Sequence, residues 1–332
     1  MSEAPLLKVV DLVKRFPLGG GILTRPKAWI QAVDHVSFSV SRGESFGLVG
    51  ESGCGKTTLG RLILRLLEPT SGFIEFDGEN ILSLNRTDMQ SVRRRMQIIF
   101  QDPYSSLDPR MKVEAIVTEP LRAIQSRSRA RRREMATELL KKVGLRSTDL
   151  EKYPHEFSGG QRQRIGIARA LCVRPELVVA DEPVSALDVS IQAQVINLME
   201  DLKEEFGLSY VFISHDLSVV EHICDRIAVM YFGTIVELAS AEDFSTTPRH
   251  PYTQALLQAV PMPNPHFKNK PFPMEGDVPN PIDPPAGCTF HPRCPYVFDR
   301  CRGEQPVLTE ASPQHFVACW LNAGQGIEGG IV

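Results

Sequence analysis

From Gly50 to Thr58 the chain reads Gly-Glu-Ser-Gly-Cys-Gly-Lys-Thr-Thr, a complete match to the pattern G-x-x-x-x-G-K-S/T. Glycines at 50, 53 and 55 let a backbone curl until successive amides, those of Ser52, Gly53, Cys54, Gly55, Lys56, Thr57 and Thr58, face phosphate oxygens. Lys56 then neutralises the outer phosphates and the Thr57 hydroxyl is a ligand for Mg²⁺. A glycine turn between a strand and a helix could share the glycines, but it would not require the lysine and threonine that follow.

Two further constellations carry chemistry. Leu177-Val-Val-Ala-Asp181-Glu182 is an apolar run ending in adjacent carboxylates. Asp181 is placed to engage Mg²⁺ and Glu182 to orient or deprotonate an attacking water, the metal and base that phosphoryl transfer needs. Paired acids can also simply open a helix, and Pro183 suits that reading too. Upstream, Phe157-Ser158-Gly159-Gly160-Gln161 precedes a helical stretch, so its free amides form a second anion-binding device of a different kind.

The elements that must hold these residues follow from apolar patterning. Strands are expected at Ser45 to Val49, Met96 to Phe100, Leu177 to Ala180 and Tyr210 to Ile213. Helices follow the first and last of these, and others begin near Val113 and Ser158. The basic run from Arg127 to Arg133 reads as the solvated face of an amphipathic helix continuing through Met135, Leu139, Leu140 and Val143. Alternation of strand and helix from Val9 to about Phe244 gives an α/β class. After Thr247 the texture changes: 15 of the 25 prolines lie between Pro248 and Pro313, which predicts loops and short pieces.

Taken in order, the phosphate loop, Gln101, Ser158 to Gln161, Asp181 with Glu182, Ser185-Ala-Leu-Asp188 and His215 resemble the ABC ATPase family. The resemblance implies a P-loop NTPase core, a RecA-like subdomain plus a helical signature subdomain at about 102–175, within an ATPase domain spanning 1–247. It implies ATP with Mg²⁺, and a head-to-tail dimer in which Ser158, Gly159, Gly160 and Gln161 serve the partner's nucleotide. It makes Gln101 a ligand to metal and water that also senses the membrane subunits, Glu182 the catalytic carboxylate and His215 a contact to the terminal phosphate. Asp188 falls in the turn after the acids, called the D-loop in the family. Phe16 is the expected stacking partner of adenine, with Trp29 competing. Phe157 departs from the leucine many members carry there.

Four of the seven cysteines, Cys288, Cys294, Cys301 and Cys319, fall in the proline-rich tail. Gathered thiols suit zinc or iron and sulfur, although the tight C-x-x-C spacing is absent, and His291 could replace one of them on zinc. His250-Pro-Tyr-Thr253, Gly287-Cys288, His291-Pro-Arg-Cys294 and Cys301 resemble the C-terminal region of peptide importer ATPases. That resemblance implies a metal-binding module at 248–332 with a four-iron, four-sulfur (4Fe-4S) cluster, structural zinc being the alternative. It implies import of dipeptides or oligopeptides, with nickel or glutathione as alternatives. The implied partners are a second, related ATPase chain, two transmembrane permease subunits and an extracytoplasmic substrate-binding protein.

Composition fits this reading. A chain of 332 residues, 42% hydrophobic and 23% charged, suits one sizeable core with an appendage and excludes wholesale disorder. A net charge of −3 gives no general attraction to nucleic acid. No run approaches the roughly 18 apolar residues of a membrane span. The start, Met1 to Leu7, lacks the basic and apolar regions of a secretory signal, so a peripheral place on the cytoplasmic face of the inner membrane is expected. Related ATPases that act on DNA insert a long coiled coil between the phosphate loop and the signature, and those of translation join two cores in one chain. Neither feature occurs here.

Overall fold

The computed structural model describes residues 4–19, 26–122, 128–259 and 279–322. Arg127, the glycine-rich stretch 20–25, and the tail segments 260–278 and 323–332 lie outside the described residues, as do Met1 to Glu3.

Strands β1 (Leu7–Leu18) and β2 (Ala28–Val40) come first, then β3 (Ser45–Val49), all five of whose residues are buried. The phosphate loop leads from β3 into α1 (Lys56–Ile63). After it come β4 (Ser71–Phe76) and the two-residue β5 (Glu79–Asn80). β4 lies antiparallel to β1, Leu7 opposite Phe76, in a sheet ordered β2-β1-β4-β5.

Next are α2 (Arg86–Arg95), β6 (Met96–Ile99), α3 (Val113–Val117), α4 (Glu119–Arg122), α5 (Arg129–Lys142) and α6 (Gly159–Leu171). They are followed by β7 (Leu177–Asp181), α7 (Val189–Phe206) and β8 (Ser209–Ser214). Asn85 starts α2 because its side-chain oxygen accepts from the Thr87 and Asp88 amides, and Gly207 stops α7 in the left-handed conformation. β6, β7 and β8 are parallel neighbours, Met96 opposite Leu177 and Leu177 opposite Ser209. β7 and β8 are buried throughout, which is why they read as continuous apolar runs rather than alternating ones.

The remainder holds α8 (Leu217–Ile223), β9 (Arg226–Tyr231), β10 (Thr234–Ser240), α9 (Ala241–Thr246), α10 (Pro251–Ala259), α11 (Asp299–Gly303), β11 (Thr309–Ser312) and β12 (His315–Val317). β3 runs parallel to β9, and the order continues β9-β10-β12-β11 with antiparallel pairs.

These elements fall into two compact units. Among the described residues, one comprises Val40–Ser45 with Ser83–Ser214; the other comprises Ala4–Ser39, Phe46–Leu82 and those from His215 onward. The first therefore holds Gln101, Ser158 and the acidic pair, the second the phosphate loop and the four tail cysteines.

The expected strands and helices are present, with β6 ending one residue early at Ile99. The tail departs from expectation in carrying a nine-residue helix, α10. Pro251 is its first residue, where the missing amide has no partner to lose and the fixed φ suits a helix. The tail also adds two strands to the sheet of the second unit, because β12 pairs with β10. Among the described residues no helix is long and apolar enough to cross a membrane.

Candidate nucleotide site and cysteine cavity

Two glycines of the phosphate loop leave no room for a side chain. Gly55, the residue before α1, has φ +109°, and a Cβ there would stand 2.1 Å from the Ala32 carbonyl oxygen. At Gly50, with φ +151°, a Cβ would meet the Met230 carbonyl oxygen at 2.1 Å. Gly53, with φ +82°, has open space above it and lies with Ser52 at the exposed tip. Lys56 is 5% exposed and folds back, its Nζ donating to the carbonyls of Gly50 at 2.7 Å and Glu51 at 2.9 Å. The ammonium thus closes the loop around its own backbone. Burial pushes the Cys54 thiol up, and Lys56 beside it pulls the other way. Thr57 and Thr58 follow in the first turn of α1, half-buried.

Phe16 on β1 is half-buried with Lys14 Nζ 5.0 Å from its ring centroid, whereas Trp29 on β2, the next strand of the same sheet, is 50% exposed. Both candidate adenine platforms are therefore on adjacent strands. His215 is exposed immediately before α8, whose N-cap Asp216 accepts from the Ser218 and Val219 amides.

In the other unit Glu182 and Gln101 meet. Asp181 closes β7 and is 5% exposed. Glu182 next to it has φ +47°, a left-handed conformation that glycine adopts freely and glutamate does not. It is held there by its amide donating to the Ile213 carbonyl at 2.9 Å and by the Ser185 hydroxyl donating to its own carbonyl at 3.1 Å. Gln101, just after β6, donates from Nε2 to Glu182 Oε2 at 2.7 Å. A carboxylate fixed by an amide donor can orient a water and accept its proton.

The signature segment opens α6 with a reciprocal cap. The Gln161 amide donates to Ser158 Oγ at 3.4 Å and the Ser158 amide to Gln161 Oε1 at 3.0 Å. A Cβ at Gly160 would lie 2.4 Å from the Ile191 side chain of α7, which would have to move to admit it. Asp188 is the N-cap of α7, and its carbonyl accepts from the Ile191 and Gln192 amides at 2.8 and 2.9 Å. The sequence reading missed how α6 holds the segment after Gln101: Arg162 stacks 3.8 Å over the Tyr104 ring, and Arg169 Nη1 donates to the Ser106 carbonyl at 2.5 Å. Their spacing of seven places both arginines on one helix face, which was the available signal.

Cys288, Cys294, Cys301 and Cys319 line one cavity, walled by Phe290, Trp320 and Leu321. Burial pushes the Cys288 thiol up to about 11 and that of Cys319 up to about 12, and neighbouring thiols of the set add to it. His291 lines the same cavity, and its Nδ1 is bonded to the Cys288 carbonyl at 2.9 Å. Among the described residues no three His, Cys, Asp or Glu side chains gather as they would around a metal ion.

The family described as ABC transporter matches residues 33–185, spanning the phosphate loop, the signature and the acidic pair. The oligopeptide transport ATP-binding protein AppF of Bacillus subtilis is 51% identical over 323 residues, covering 96% of this chain and 98% of that one. The chain belongs to the ABC transporter family. A second ABC relative, the dipeptide transport ATP-binding protein DppF of Haemophilus influenzae, is 49% identical over 320 residues, covering 96% of this chain and 97% of its own. The region described as oligopeptide/dipeptide transporter, C-terminal, matches residues 236–301. Among solved structures, a dimeric ATP-binding cassette in a post-hydrolysis state with ADP and Pi superposes with a TM-score of 0.63 at 29% identity, covering 71% of this chain and 98% of that one. The α/β ABC cassette fold is thus common to this chain and to a protein solved with nucleotide. As a member of the ABC family the chain is an ATP-binding transport ATPase.

Proposed function

We propose that this chain is the ATP-binding and hydrolysing subunit that energises an ABC importer of dipeptides and oligopeptides. The observation that carries the reading is the pairing, in one chain, of the ordered ATPase motifs with the oligopeptide/dipeptide C-terminal region at 236–301. Relatives close to half identical bear peptide-transport names, which favours peptides over nickel or glutathione and transport over work on DNA or ribosomes.

Gly50 to Thr58 take the triphosphate, with Phe16 or Trp29 beneath the adenine. Thr57, Gln101 and Asp181 are the magnesium ligands. Glu182, steered by Gln101, takes the proton of the attacking water, and His215 contacts the terminal phosphate. Ser158 to Gln161 serve the nucleotide of a second, related ATPase chain, and Asp188 belongs to the same head-to-tail junction. ATP binding closes that pair, moving two permease subunits between access states, and hydrolysis reopens it. A substrate-binding protein outside the membrane selects the peptide, and this chain works on the cytoplasmic face.

In this reading Cys288, Cys294, Cys301 and Cys319 hold a 4Fe-4S cluster, with structural zinc as the alternative. Four soft donors line one cavity, a donor set that suits iron and sulfur or zinc, although among the described residues they do not gather as they would around a metal ion. When bound, the cluster would cross-link the four segments that carry these cysteines. Anaerobic purification with iron, sulfide and zinc analysis tests it, and stoichiometric zinc without iron would reject it.

Purification of the tagged chain from native membranes in mild detergent, followed by mass spectrometry, tests the transport reading. Two multi-span permeases with a second ATPase are expected. Recovery with DNA or ribosomes and no membrane subunit would overturn it.

A further inference from the structure

Arg293 lies one residue before Cys294, yet its guanidinium reaches the phosphate loop. Its Nη1 and Nη2 fork onto the two carboxylate oxygens of Glu51 at 2.9 and 3.1 Å, with the arginine side chain only 8% exposed. Such a two-pronged pair fixes orientation as well as charge. On its other side Glu51 is tied down by its amide, which donates to the Tyr252 hydroxyl at 2.8 Å. The Tyr252 ring packs 5.5 Å from Phe290, a wall of the cysteine cavity.

The turn carrying Arg293 has little freedom of its own. The His291 and Arg293 amides donate to the carbonyls of Cys288 and Phe290 at 2.9 and 3.0 Å, and the Cys288 amide to the Cys301 carbonyl at 2.9 Å. Gly287, with φ +70°, passes so near that a Cβ would lie 2.5 Å from the same Cys301 oxygen. A displacement of the cysteine-bearing turn therefore displaces Arg293. At the far end, the Glu51 carbonyl accepts from Lys56 Nζ at 2.9 Å.

The charges give this contact a purpose. Glu51 puts a negative carboxylate into a loop whose task is to receive a triphosphate. Unpaired, it would repel the ligand; Arg293 cancels it and holds it aside. We propose that Arg293 is a positioning residue for the phosphate loop, and that the Arg293–Glu51 pair links nucleotide binding to closure of the cysteine-bearing turn. The inference rests on the ATP-binding reading of the loop and holds whichever metal the thiols take. Linkage is reciprocal, so ATP must steady the turn as much as the turn favours ATP.

Full-length chain, titrated with a fluorescent ATP analogue, gives the test. Arg293→Ala is expected to weaken binding about tenfold, and adding Glu51→Gln to it, which removes the uncompensated charge, to restore most of the loss. Arg293→Lys, which keeps charge but not the fork, serves if the alanine variant does not fold and is expected to bind with intermediate affinity. In chain stripped of metal by chelation, alkylation of Cys294 by iodoacetamide, followed by mass spectrometry, is expected to slow with ATP in the natural chain and to be indifferent to ATP in Arg293→Ala. Unchanged affinity in Arg293→Ala, or no recovery in the double variant, would overturn the proposal. Iron analysis of the same samples separates this from the cluster: rescue in an iron-free chain rejects only the cluster, and unchanged affinity in an iron-loaded one rejects only the linkage.

Discussion

Glu237 on β10 and His315 on β12 meet at 2.7 Å with both side chains closed off from solvent, 78 positions apart in the chain. The same carboxylate accepts the amides of Arg249 at 2.7 Å and His250 at 2.9 Å, just ahead of α10. One buried side chain thus joins the tail strand, the start of the tail helix and the sheet.

Glu237→Gln tests that junction. An amide offers one accepting oxygen where the carboxylate satisfies three donors with two, and its NH₂ faces another donor. A loss of about 2 kcal/mol is expected, measured as a shift of the urea midpoint at pH 7.

Acid should loosen the same region in two stages. Burial pushes His250 down to about 4, so it is neutral when folded, while the unfolded chain protonates it near 6.5. Folded molecules then bind fewer protons, and stability falls as pH drops through that interval, by up to about 1.4 kcal/mol per unit. Burial alone would raise Glu237, but the bonds from His315, Arg249 and His250 outweigh it and hold the carboxyl below its usual 4.5. Its contribution is complete above 4.5 and drains as pH falls through the lower folded value. Urea unfolding from pH 7 to 4 should show the first loss beginning near 6.5, and a flat profile between 7 and 5 would contradict a buried neutral His250.

The glycines of the phosphate loop should separate by cause. Gly55→Ala drives a methyl into a backbone oxygen and is expected to abolish ATP binding. Gly53→Ala meets no atom and bears only the left-handed φ, about 1–2 kcal/mol of strain. Isothermal titration with ATP distinguishes a lost site from a weakened one.

Glu182→Gln retains an oxygen to accept from Gln101, so nucleotide binding should persist. Proton acceptance is gone, and turnover is expected to fall about 10²- to 10⁴-fold. Single-turnover phosphate release measures it, and near-normal hydrolysis would remove Glu182 from the role of base.

What was legible in the sequence was local. The phosphate loop, the cap Ser158–Gln161 and the buried strand ending at Asp181 each occupy a few consecutive residues, and their chemistry is set by neighbours along the chain. Gln101 and Glu182 were both named, but only the fold brings β6 beside β7 and makes them partners. Arg293 was quoted as part of a tail motif without a partner, because Glu51 is 242 positions away and nothing local marks the pair. The tail helix was missed by reading proline only as a breaker, when at Pro251 it is a starter.

Glu182 sits where a glycine would rest more comfortably, and this has an evolutionary reading. A substitution to glycine there would relieve about 1 kcal/mol of backbone strain while deleting the carboxylate. Drift alone would favour its loss in any lineage whose cassette is kept for assembly and no longer for turnover. A glutamate at this position in a sister subunit of the same complex would therefore mark two working engines, and a glycine there would mark one engine with a passive mate.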